Sequence, residues 1–63
     1  MYIIEIEIGK DNELLYFTEK SYGEIAYNNL KRVLQGKGLK GKLALYSADK
    51  SHIVKNCIMA TLL

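Results

Sequence analysis

Residues 36–42 read GKGLKGK, and they satisfy two phosphate-binding spacings at once. Gly36, Gly38 and Gly41 give G-x-G-x-x-G. Gly36, Gly41 and Lys42 give G-x-x-x-x-G-K. Both patterns work only where a strand ends in a glycine turn and a helix begins, because the helix start offers free N–H groups and the positive end of its dipole. Here the helix signals come before the glycines and the strand signals after. The loop therefore falls at a helix C-terminus, where free carbonyls repel phosphate. Leu43 also stands where a magnesium-holding Ser or Thr is needed. These glycines read as a cap and a turn, and the lysines as solubilising charges.

Other reactive side chains are few. Cys57 is the only cysteine and His52 the only histidine. Five positions apart, they fall on opposite faces of a strand, or about 140° apart on a helix, so neither geometry makes a thiol–imidazole pair. One Cys and one His cannot fill a tetrahedral metal site, and no metal or cofactor is expected. Glu5 and Glu7 share a strand face, but acid–base work needs a cleft that separates their environments. They read as a solvated stripe, and no enzyme activity is expected.

Charge is asymmetric. Residues 1–24 hold six acids and two bases, and residues 25–63 hold one acid and seven bases. Lys31, Arg32, Lys37, Lys40 and Lys42 form a basic segment without an intervening acid. Such a segment can bind a nucleic-acid backbone without sequence preference, which is the alternative reading of function.

The elements that position these residues follow from periodicity. YIIEIEI (2–8) alternates, with Tyr2, Ile4, Ile6 and Ile8 on one face and Ile3, Glu5 and Glu7 on the other. LLYFT (14–18) is a second strand. A four-residue loop over 10–13 would pair Ile8 with Leu15, Glu7 with Tyr16 and Ile6 with Phe17. Ser21 with Glu24 forms a capping box for a helix over about 22–35. Tyr22, Ile25, Ala26, Leu30, Val33 and Leu34 make its apolar stripe. GKLALYS (41–47) is a third strand. The tail, 52–62, reads as a fourth strand, favoured by its β-branched residues and by the turn-like ADKS at 48–51. That turn would pair Tyr46 with Ile53 and Leu45 with Val54. A C-terminal helix, giving β-β-α-β-α, is the alternative.

The expected fold is α+β, β-β-α-β-β, one domain over 1–63, with one helix on a four-stranded antiparallel sheet. A chain of 63 residues buries a small core, and such scaffolds commonly lean on a disulfide, a metal or oligomerisation. Only the last suits this composition. The sheet face away from the helix would show Ile3, Tyr16, Ala44, Tyr46, Ile53, Cys57 and Met59, a large apolar patch for a small monomer. Lys55 on that face would meet Glu5 and Glu7 across an interface.

The expected function is therefore a non-enzymatic interaction or accessory protein. It self-associates, as a dimer, through Ile3, Tyr16, Tyr46, Ile53 and Met59, and acts by binding another protein. No apolar run approaches the roughly 20 residues of a membrane span. The start of the chain lacks a basic, apolar leader pattern. The expected setting is the cytoplasm, with no membrane partner.

Overall fold

The structure, a computed structural model, describes residues 1–47 and 52–59. The elements run β1 (Tyr2–Ile8), β2 (Asp11–Phe17), α1 (Lys20–Gly36), β3 (Gly41–Ser47) and β4 (Ile53–Met59). The strands form one antiparallel sheet in the order β2-β1-β3-β4, with α1 packed on one face. This is the expected β-β-α-β-β fold. The ADKS turn lies outside the described residues.

The first hairpin is tighter than expected. Ile8 pairs with Asp11 across a two-residue turn, and Gly9 sits in it at φ 60°. Positive φ at that place matches the strand twist of the primed hairpin turns, which only glycine enters without strain. The short turn draws residues 11–13 into β2 and slides the register by four. Leu15 now faces Ile4, and Tyr16 faces Ile3. An even shift keeps every side chain on its expected face.

α1 begins one residue before Ser21. Glu19 is the N-cap without a side-chain cap hydrogen bond, so the Ser21–Glu24 capping box does not form. The chain turns into the helix directly after Phe17, which places Ser21 inside the first turn. The helix ends as the glycines suggested. Gly38 takes φ 68°, its N–H donates to Gln35 O at 3.0 Å, and Leu39 N–H donates to Leu34 O at 3.1 Å. This is the two-bond Schellman stop, with its carbonyl end toward GKGLKGK.

The buried helix stripe differs from the expected one. Gly23 and Tyr27 are buried, with Ala26, Leu30 and Leu34 packed on the core, whereas Tyr22, Ile25 and Val33 are exposed. Gly23 accounts for the rotation. A Cβ there would lie 3.3 Å from Leu45 Cδ1 and 3.6 Å from Tyr2 Cβ, so the bare backbone brings the helix down onto β1 and β3. The centre of the core is Ile4, Leu43, Leu45 and Tyr27. On β4, Cys57 packs against that core, and burial raises the Tyr27 phenol above its ordinary pKa, with the Cys57 thiol as hydrogen-bond partner.

Candidate interaction face

The sheet face opposite α1 carries no covering element among the described residues. Pairing across the four strands places its side chains in three rows. The first is Tyr16–Ile3–Tyr46–Ile53, the second Leu14–Glu5–Ala44–Asn56, and the third Asn12–Glu7–Lys42–Ile58. The first row is apolar or aromatic on all four strands. Tyr16 is 60% exposed and Ile53 51%, while Ile3 between its two tyrosines is only 8% exposed. Leu14 and Ile58 are further exposed apolar groups on this face.

Acid and base stand side by side lower on the face. Glu7 and Lys42 are directly paired on β1 and β3. Asn12 Nδ2 donates to Glu5 Oε2 at 3.4 Å from the neighbouring strand. Ala44, the smallest side chain in the three rows, floors a depression of about 200 Å³ lined also by Glu5, Glu7, Lys42, Tyr46 and Asn56. The face is thus a ridge of aromatic and branched side chains beside a shallow polar hollow.

Four of the five expected interface residues, Ile3, Tyr16, Tyr46 and Ile53, share this face and one row. Met59, the fifth, pairs with Gly41 at the end of β4. Cys57 and Lys55 leave the outer face. The cause is a bulge in β4: Tyr46 pairs with Ile53, but Leu45 pairs with Lys55 rather than Val54. The extra residue, Val54, packs on the core. Strict alternation would have turned Asn56 under the helix. The bulge instead sends Asn56 outward and Cys57 inward, which removes the cost of burying an amide. Lys42, Leu14, Asn56 and Ile58 were not assigned to the face in advance. Period-2 alternation from Tyr46 and Tyr16 reaches Lys42 and Leu14, but no alternation reaches Asn56 and Ile58 across a bulge.

Lys31 and Arg32 lie on α1, Lys37 and Lys40 in the following loop, and Lys42 on the opposite face of the sheet. Arg32 Nη2 donates to Asn29 Oδ1 at 3.1 Å. His52 is exposed ahead of β4, while Cys57 packs inward against the core. Among the described residues no three His, Cys, Asp or Glu side chains are grouped as a metal site would need. No helix among them is long and apolar enough to cross a membrane.

A second concavity, of about 220 Å³, opens on the helix side between Ile6, Ile8, Leu30 and Leu34, with Asp11 and Glu13 at its rim. No family model, curated protein or solved structure matches the chain.

Proposed function

We propose that this chain is a non-enzymatic interaction protein that self-associates through the outer sheet face and acts by binding another protein. The observation that supports this reading is the row Tyr16–Ile3–Tyr46–Ile53, apolar across every strand of a face that no described element covers. A contiguous apolar patch is costly to leave in water on a molecule this small. Burying it adds a second core to a chain whose fully buried large side chains are Ile4, Leu43 and Leu45. The hollow beside the ridge brings together carboxylates, one lysine and an amide. That set suits recognition of a polar side chain better than bond-breaking chemistry.

The test is the solution mass of wild type and of Tyr46→Glu, by light scattering behind size exclusion. The reading expects a wild-type dimer that becomes a folded monomer in the variant. A wild-type monomer at about 100 µM would overturn it, since useful self-association lies below that range of Kd.

A further inference from the structure

We infer that the partner on the outer face is a second copy of this chain, related by a twofold axis that runs parallel to the strands between β1 and β3. This rests on the proposed self-association and specifies its geometry. Rotation about that axis lays β1 over the partner's β3 and β2 over the partner's β4, and every residue keeps its row. Ile3 then meets the partner's Tyr46, and Tyr16 meets the partner's Ile53. Glu7 meets the partner's Lys42, twice by symmetry.

Shape and charge both select this axis. An axis across the strands, centred on the face, would set Ile3 on Glu7 and Tyr46 on Lys42, burying charge against apolar groups. The parallel axis keeps the apolar first row on itself and acid on base at Glu7 and Lys42, while Leu14 meets the partner's Asn56 and Asn12 the partner's Ile58. It also places Glu5 over the partner's Ala44, where the hollow of about 200 Å³ lies, lined by the partner's Lys42 and Asn56 as donors and by its Glu5 and Glu7 carboxylates. The sheets pack nearly aligned, at the angle of roughly 30° that sheet twist produces. The helices lie on the two outer surfaces of the resulting four-layer assembly.

The arrangement has a weak point. Four carboxylates, Glu5 and Glu7 of each copy, face two Lys42 ammonium groups. Glu5 has Asn12 as an amide donor, whereas the cross-strand lysine is paired with Glu7. Replacing Glu5 by glutamine removes the surplus charge and keeps the shape.

Charge exchange at residues 7 and 42 tests the geometry. Glu7→Lys alone sets lysine against lysine across the interface, and Lys42→Glu alone sets glutamate against glutamate. Each single variant should dimerise at least about tenfold more weakly than wild type. Mixed together, the two single variants should form a heterodimer. Both lysines of the Glu7→Lys chain then face both glutamates of the Lys42→Glu chain, so acid meets base at each of the two contacts. The double variant Glu7→Lys/Lys42→Glu should dimerise like wild type, and Glu5→Gln more tightly. Circular dichroism confirms that each variant is folded. If Tyr46→Glu dissociates the dimer but charge exchange has no effect and the singles do not pair, this geometry is overturned and the outer face stands. If Tyr46→Glu also leaves the dimer intact, or if wild type is a monomer, both are overturned.

Discussion

Ile3 on β1 and Tyr46 on β3 are direct cross-strand partners on the uncovered face of the sheet, and Ile3 is 8% exposed there. Burial without a covering layer comes from the flanking rings of Tyr46 and, on the other side, Tyr16. Cross-strand aromatic and β-branched pairs of this kind contribute roughly 0.2–1 kcal/mol each. Ile3→Val removes one methyl group from the middle of the row. We expect it to cost about 0.5–1.5 kcal/mol, the usual range for that change in a core. Urea denaturation should show a lower midpoint and an unchanged slope. No shift would mean that Ile3 contributes nothing from beneath the two rings.

Tyr27 links the helix to the far edge of the sheet, and it makes stability depend on pH. Its pKa is raised, first by burial and then by the Cys57 thiol beside it. The folded state therefore holds the phenol proton more tightly than the unfolded chain does. That contribution is complete below the ordinary tyrosine pKa of about 10 and is lost as pH rises above it. Each further pH unit should cost up to about 1.4 kcal/mol while only the unfolded state ionises. Urea midpoints measured from about pH 8 to pH 11 should fall steeply at the alkaline end, and Tyr27→Phe should flatten the fall. Equal slopes in both proteins would remove Tyr27 from the account.

The element order was legible because each segment carries its own period: β1 alternates strictly, and the α1 residues recur at helical spacing. The outer-face membership of Ile3, Tyr16 and Tyr46 was legible for the same reason, since a register slip of four does not exchange faces, but their common row was not, because the expected hairpin set Tyr16 opposite Glu7. Two kinds of information were not local. The β1–β2 register depended on whether residues 11–13 would be turn or strand, and the positive φ of Gly9 settled it for strand. The faces of Lys55 and Cys57 depended on a bulge whose benefit, keeping Asn56 out of the core, appears only once the helix is in place. The helix rotation likewise depended on Gly23 meeting Leu45, a contact between distant parts of the chain.

Two glycines should respond very differently to alanine. A Cβ on Gly41 would run into the carbonyl oxygen of Glu7 on the neighbouring strand. That obstacle is backbone, and it cannot move without breaking the β1–β3 register. Gly41→Ala should cost at least about 1–3 kcal/mol, in the range of overpacked sites. A Cβ on Gly23 would meet the movable end of Leu45, 3.3 Å away. The helix gains roughly 1 kcal/mol from alanine over glycine, which offsets that crowding. Gly23→Ala should therefore change the melting temperature little, while Gly41→Ala lowers it by many degrees. The reverse order would contradict the close approach of β3 to β1.

The bulge at Val54 makes Cys57 a reporter of its own orientation. Cys57 packs against the core, while its neighbour Asn56 is exposed on the outer face. Cys57 is half-buried, so a thiol-labelling reagent should react with it slowly in the folded protein. A cysteine moved to the outer face, in Cys57→Ala/Asn56→Cys, should react at least about tenfold faster, because labelling follows exposure of the thiolate. Deleting Val54 removes the extra residue and leaves strict alternation through Ile53, Lys55, Asn56 and Cys57, so Cys57 stays opposite Leu43 and should still label slowly if this chain folds. The comparison with Asn56→Cys holds even where the deletion does not fold. Equal rates at positions 56 and 57 would mean that β4 does not keep the bulged register, and that Asn56 does not line the hollow over Ala44.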